Sequence, residues 1–242
     1  MERINDILGY ESLKIYQNSE YFSFSLDSIF LANYSTVRLR DKKIIDFCTG
    51  NGVVPFVVSF RTKSKIIGID IQEKLINLAN CSLELNNLNN QISFICEDIN
   101  DYSKKHLNEF DLVLCNPPYF KVEENSTFND SYEKMIARHE VKLNLDELCE
   151  CAMRVLKDHG NFSLVHRSDR LIEILETLKK YKLEPKKIKF LHETINKPSY
   201  LVLIESQKCG KVGLKVEEPF IQYNLDGSMA DEYSKMLKEV RK

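Results

Sequence analysis

Short runs of β-branched and apolar residues alternate along this chain with longer stretches of helical periodicity. That alternation limits the fold more than any other feature. Strands are expected at 43–47, 65–69, 92–96, 111–115 and 161–166, with helices at 53–61, 73–87, 102–107, 145–157 and 168–181, the last with Ser168 as its N-cap. Alternating β and α units specify an α/β fold: a mostly parallel sheet with helices on both faces. Two further strands, 187–192 and 200–206, lie too close together for a crossover helix. They imply an antiparallel hairpin at one edge, for seven strands in all. At 242 residues, 43% hydrophobic and 29% charged, the chain fits one globular domain spanning 1–242.

Two regions fall outside the alternation. Residues 1–40 form an N-terminal extension in which the second half of Tyr21–Ser35 reads as an amphipathic helix. Residues 117–143 form a long polar connection of the kind used as an active-site or substrate loop. The seven cysteines have no C-x-x-C spacing, and Cys96 and Cys115 sit in strand-like runs, where a thiol serves as a small hydrophobe. Their odd number and the absence of a signal peptide suggest a reducing, cytoplasmic setting. No run approaches a membrane span, and no metal-ligand cluster appears.

The first strand runs into "IIDFCTGNGVVPF", where Gly50 and Gly52 occupy the strand-to-helix turn. Glycine there permits positive φ and close approach of a ligand to the backbone. Pro55 replaces the third glycine of a dinucleotide fingerprint, which disfavours a pyrophosphate and an NAD-dependent oxidoreductase. Acids then recur at successive strand ends: Asp46, Asp70 in "IIGIDIQ" and Asp98 in "FICEDI". Asp70 is placed to accept ribose hydroxyls and Asp98 an adenine amino group, with Ile71 and Ile99 covering the ring. An acid at Asp46 suits an ammonium group. The alternative use of these acids is capping the helices that follow them. The set fits S-adenosylmethionine better than NAD.

The fourth strand ends in "FDLVLCNPPYF". Proline holds the preceding Asn116 extended, and Pro117 and Pro118 fix φ for two residues. The result is a stiff ledge carrying the Asn116 amide oxygen, the Pro117 carbonyl and the Tyr119 ring. Two fixed acceptors can hold both N–H bonds of a conjugated exocyclic amine and favour its pyramidal form. Tyr119 can stack a flat base, with Pro118 and Phe120 as further substrate contacts. This is catalysis by positioning and fixed dipoles, without a strong base.

These motifs resemble those of the class I amino-methyltransferases, a Rossmann-like group. Within it the chain resembles the bacterial tRNA1(Val) (adenine-37-N6)-methyltransferases. The match extends over nearly the whole chain, through "FSFSLDSIFLANY", "TGNGVVP", "GIDIQ", "FDLVLCNPPYF", "ARHE", "RSDRLIEIL", "EPKKIKFLH" and "GLKVEEPFIQY". The resemblance implies that Asp46 and Gly50 face the methionine end of the cofactor, that Asp70 holds ribose and Asp98 adenine, and that Asn116 and Pro117 grip the amine while Tyr119 stacks. Cys48 departs from the pattern, standing where the loop usually has its first glycine. Asp27 either caps its helix or faces the site.

The resemblance also implies a tRNA anticodon loop as substrate and an RNA-binding, tRNA-modifying role; the sequence leaves the oligomeric state open, with a monomer as the expectation. A base must be splayed out to reach the ledge, and a loop base is cheap to flip. Net charge is −2, yet 167–189 carries eight Lys/Arg against four Asp/Glu. Arg167, Arg170, Lys186, Lys187 and Lys189, with Arg138 on the long loop, are the candidate phosphate contacts. A solvated basic face is the bland reading of that run, a salt bridge to Glu140 that of Arg138, and a solvated surface histidine that of His139. Rival readings are rRNA guanine-N2, DNA adenine-N6 or protein-glutamine methylation, and a non-catalytic RNA-binding module.

Overall fold

The computed structural model describes residues 2–18, 26–118 and 143–237. A hairpin of β1 (Glu2–Ile7) and β2 (Tyr10–Asn18) leads to α1 (Leu26–Tyr34). The alternating region follows: β3 (Lys43–Phe47), α2 (Val53–Ser59), β4 (Lys65–Asp70), α3 (Glu73–Leu85), β5 (Ile92–Cys96), α4 (Ile99–Lys105) and β6 (Phe110–Cys115). Past the long connection come α5 (Leu145–Val155), β7 (Leu156–Arg167), a 3₁₀ turn (Ser168–Arg170), α6 (Leu171–Lys180), β8 (Leu183–His192) and β9 (Leu201–Lys208). Two-residue strands β10 (Lys215–Val216) and β11 (Phe220–Ile221) precede α7 (Asp231–Met236).

The main sheet has the order β10-β8-β9-β7-β6-β3-β4-β5, with β11 also paired to β8. All seven expected strands are present, and β10 and β11 extend the sheet as short parallel additions along β8. Only β9 runs against its neighbours, pairing antiparallel with both β7 and β8. Strand order reverses at β3, which pairs with β4 on one side and β6 on the other. Central strands are covered on both faces, and Leu112, Val113, Leu114 and Cys115 have no solvent exposure. One apolar layer joins the hairpin, α1, α2 and α7 to the sheet; the other joins α4, α5 and α6.

The start of α5 is fixed locally: Asn144 accepts from the Glu147 N–H, and the Glu147 carboxylate accepts from the Asn144 N–H. The helix stops at Val155, earlier than expected, because Leu156 is already extended and begins β7. Ser168 does not cap the following helix. Its hydroxyl donates to the Ser199 carbonyl, and the helix proper starts only after the 3₁₀ turn. Cys115 is buried as expected, but Cys96 is exposed, because β5 is the outer strand of the sheet.

The hairpin within 1–40 was not anticipated. It docks on α3 through backbone groups: the Tyr16 N–H donates to Ser82 Oγ (2.9 Å), and Asn86 both accepts from the Lys14 N–H (2.9 Å) and donates to its carbonyl (2.6 Å). Among the described residues no helix is long and apolar enough to cross a membrane.

A buried polar network ties the end of α1 to the sheet. Glu205, 4% exposed, accepts from the Thr36 N–H (2.7 Å) and the Ser163 hydroxyl (3.2 Å). The Lys187 ammonium lies 3.7 Å from Glu205, donates to Thr36 Oγ1 (3.1 Å) and sits 4.2 Å from the Tyr34 ring centre. Removing the carboxylate strands these donors in a dry site. Glu205→Ala is therefore expected to lower stability by about 2–4 kcal/mol in urea unfolding; a loss below about 0.5 kcal/mol would show the network to be dispensable.

Candidate active site at the β3 and β6 strand ends

The C-terminal ends of β3 and β6 lie side by side. Asp46 pairs with Leu114 and Phe47 with Cys115, so the loop beginning at Cys48 emerges beside Asn116. This is the point of strand-order reversal, where open parallel sheets leave a crevice for ligands. Asp70 closes the neighbouring strand, opposite Cys96, and Asp98 follows two residues later.

The loop after β3 uses unusual backbone. Gly50 and Gly52 have φ of 56° and 90°, and Cys48 adopts φ 55°. A Cβ on Gly50 would meet nothing within 4 Å, so space is open beside its backbone. A Cβ on Gly52 would come within 2.5 Å of the Phe94 ring, so this glycine serves packing. Cys48 tolerates the conformation that a glycine would adopt freely, at a cost of about 1–2 kcal/mol. Its side chain packs against the second apolar layer, beside the buried Cys115 thiol.

The three acids differ in state. Asp70 spans two loops: its oxygens accept from the Gly50 N–H and the Gln72 N–H, each at 2.9 Å. Burial nevertheless raises its pKa. The Ile71 N–H also acts on the carboxylate, and with about four lone-pair sites there at least one remains for a ligand hydroxyl. Asp98 caps α4, Oδ1 accepting from the Asn100 N–H (2.8 Å) and side-chain amide (3.2 Å), so the capping role does apply to it. Oδ2 takes no part in that cap. Ile71 is exposed, whereas Ile99 is only 6% exposed and packs into the second layer, so of the two expected ring covers Ile71 is the accessible one.

Asp46 is the outlier. It is 1% exposed, and among the described residues the group that reaches its carboxylate is the buried Thr49 hydroxyl, which lies outside regular hydrogen-bond geometry. Burial, and secondarily the charge of Asp70, push its pKa well above the ordinary carboxylate value, with Thr49 offsetting part of the rise. A buried carboxylate without regular hydrogen bonds is costly. An ammonium-bearing ligand would supply the missing charge and donors. Open space at Gly50, the orphaned Asp46 and Thr49 oxygens, the spare capacity of Asp70 and the exposed Ile71 together fit S-adenosylmethionine.

Asn116 and Pro117 follow β6 directly; Pro117 is buried, while Asn116 and Pro118 are partly exposed. The Asn116 Nδ2 donates to Ser28 Oγ at 3.0 Å. Ser28 and Thr49 are site residues that sequence reasoning did not single out. Thr49 lay within a quoted motif; for Ser28 only its place in "SLDS" offered a hint. Asp27 lies in the first turn of α1, and its charge acts on Tyr200. Tyr119, Phe120, Arg138 and His139 lie outside the described residues.

The basic residues do not form one patch. Arg167 and Arg170 stand at the strand-end edge, paired with Asp169 and Glu173. His166 beside them is fully buried and held neutral, its pKa pulled down to about 4 by burial and then by Arg170. Lys187 lies four residues before Leu191, hence about 13 Å along β8 from that edge. Its ammonium is committed to the Glu205 network. Lys186 donates to the Lys211 carbonyl, and Lys189 pairs with Glu232 over the Phe220 ring.

A doubly wound sheet with a ligand crevice at its switch point, lined by strand-end acids, defines a Rossmann-like transferase architecture. The chain belongs to the methyltransferase domain family, whose model matches residues 39–238. It is 24% identical over 188 residues to the tRNA1(Val) (adenine(37)-N6)-methyltransferase of Phocaeicola vulgatus, covering 78% of each chain. It is 30% identical over 126 residues to a Methanocaldococcus jannaschii protein provisionally named as a protein N5-glutamine methyltransferase, covering 52% of this chain and 60% of that one. Among solved structures, a protein from Agrobacterium tumefaciens described as a predicted O-methyltransferase superposes with a TM-score of 0.69 at 17% identity, over 87% of this chain and 95% of that one.

The state of Asp46 yields a test. Its folded pKa is raised, so stability is full below the ordinary carboxylate pKa and declines as pH rises toward the folded value. Asp46→Asn should raise the melting temperature of the ligand-free protein, with an advantage that grows as pH rises through that window. The same change should weaken S-adenosylmethionine binding at least about tenfold by calorimetry, since a neutral amide cannot pair with the ammonium. Unchanged affinity would place the ammonium elsewhere.

Proposed function

We propose that this protein transfers a methyl group from S-adenosylmethionine to the exocyclic N6 of an adenine in tRNA, at position 37 of tRNA1(Val). The observation that carries this reading is the register of β3 against β6, which brings the Asn116–Pro118 ledge beside the glycine loop and its unpartnered Asp46. Asp46 and Thr49 would hold the amino-acid end of the cofactor, Asp70 its ribose, and Asp98 with Ile71 its adenine. Bound S-adenosylmethionine supplies an electrophilic methyl carbon on a sulfonium.

The chain's own residues supply position. The Asn116 amide oxygen and the Pro117 carbonyl accept the two N–H bonds of the target amine, which frees its lone pair from the ring. Both acceptors are fixed before substrate arrives, Asn116 by its tether to Ser28 and the Pro117 carbonyl by the proline that follows it, so little reorganisation remains. The methylated nitrogen is acidic and releases its proton to water. Arg167 and Arg170 stand at the right edge to meet RNA phosphates, after exchanging their present carboxylate partners.

The amine-gripping ledge would also serve a glutamine amide. The adenine reading is favoured because the tRNA-modifying relative is matched over 78% of this chain and the glutamine-modifying one over 52%. A monomer acting in the cytoplasm on an anticodon loop completes the proposal.

Incubating the protein with labelled S-adenosylmethionine and unmodified tRNA, then identifying the nucleoside by mass spectrometry, should yield N6-methyladenosine at a single position. Methylated guanine, or no methylated nucleoside, would reject the substrate assignment. Asn116→Ala should lower turnover at least about 10²-fold while leaving cofactor affinity within a few fold. Equal loss of both would make Asn116 a structural residue.

A further inference from the structure

An asparagine amide is nearly symmetric in shape but opposite in chemistry at its two ends. Turning it about its last torsion exchanges an acceptor for a donor at almost no steric cost. A site that needs the Asn116 oxygen facing an amine must therefore hold the nitrogen on the other side. A primary amide facing an amine with its own NH₂ would set donor against donor.

The Asn116 Nδ2 donates to Ser28 Oγ at 3.0 Å, across 88 residues of sequence. Ser28 lies in the first turn of α1, a helix packed against the Asn116 face of β6 and β7. Both side chains are partly buried, so water competes for this bond less than at an open surface. The Glu205 network anchors the segment just beyond the other end of the same helix, so the serine is presented on a fixed element. Residue 28 thus acts on the ledge from outside both the cofactor loop and the N-P-P run.

We propose that Ser28 is a positioning residue that sets the amide orientation of Asn116, a role that presupposes Asn116 as an acceptor for the target amine. With Nδ2 bound to the serine oxygen, Oδ1 lies at the opposite end of the amide and the amide plane is held. The role is read in turnover, because the serine holds the group that faces the amine and contributes no contact to the cofactor loop.

The test uses the full chain, labelled S-adenosylmethionine and unmodified tRNA transcripts. Ser28→Ala should lower kcat roughly tenfold, the order expected from losing one oriented hydrogen bond together with its positional constraint. KM for tRNA and calorimetric affinity for S-adenosylmethionine should stay within about twofold. Ser28→Thr, which keeps the oxygen, should recover most of the turnover. In an Asn116→Ala background, Ser28→Ala should cost nothing further, since its target is gone.

Turnover of Ser28→Ala within twofold of the parent, or a loss that multiplies with that of Asn116→Ala, would overturn the proposal. If Ser28→Ala does not fold, Ser28→Thr and Ser28→Val replace it. Higher turnover for threonine supports the role, and equal turnover overturns it. If instead Asn116→Ala retains full turnover, the ledge reading under Proposed function fails on its own account, whatever residue 28 does.

Discussion

The parallel pairing of β3 with β6 is the constraint on which the rest depends. Register fixes Phe47 against Cys115, so the two chains leave the sheet at one level and in one direction. From β3 the sheet continues to β4 and β5; from β6 it continues to β7 and β9. Connections on the two sides therefore diverge, and the gap between them cannot be filled by either crossover. A one-residue slip would exchange the faces of β6 and carry Asn116 away from α1. Leu112 and Leu114 are packed into one apolar layer and Val113 and Cys115 into the other, so a slip would force both layers to repack.

That gap contains a source of instability. Asp46 has neither solvent nor a regular hydrogen-bond partner among the described residues, while Asp70, one strand away, accepts two backbone N–H groups. The two acids thus have different tasks. Asp70 stitches the β3 loop to the β4 loop and keeps the crevice formed. Asp46 carries a desolvation cost, which its raised pKa reflects. The left-handed Cys48 adds backbone strain at the same turn.

The alternating pattern made the sheet legible because strands buried on both faces require continuous apolar runs, and those runs are bounded by glycine, proline and acids. The strand-end acids and the N-P-P ledge were legible for the same reason, each being tied to a strand terminus. The N-terminal hairpin was not, because its pairing partner is the end of α3, through Ser82 and Asn86, which carry no signal of that use. Nor was the division of the basic run. Charge counting treats Arg167 and Lys187 as neighbours, but they lie on two strands with β9 between them, and buried Glu205 engages one while surface Asp169 engages the other.

The sequence by itself determined the alternation of elements, the acids at strand ends and the stiffness of the asparagine–proline turn, because each is a local property of a few consecutive residues. Tertiary structure alone decided that Asp46 would stand without a regular hydrogen-bond partner, that Asp98 would give one oxygen to a helix cap, and that Ser28 would hold the Asn116 amide. The Ser28–Asn116 contact spans 88 residues of chain, while the state of Asp46 follows from its burial in the assembled sheet, and for Asp98 the structure selects the local capping use that the sequence had left open. Hydrogen bonding and desolvation act between neighbours in space, and local patterning carries no record of them.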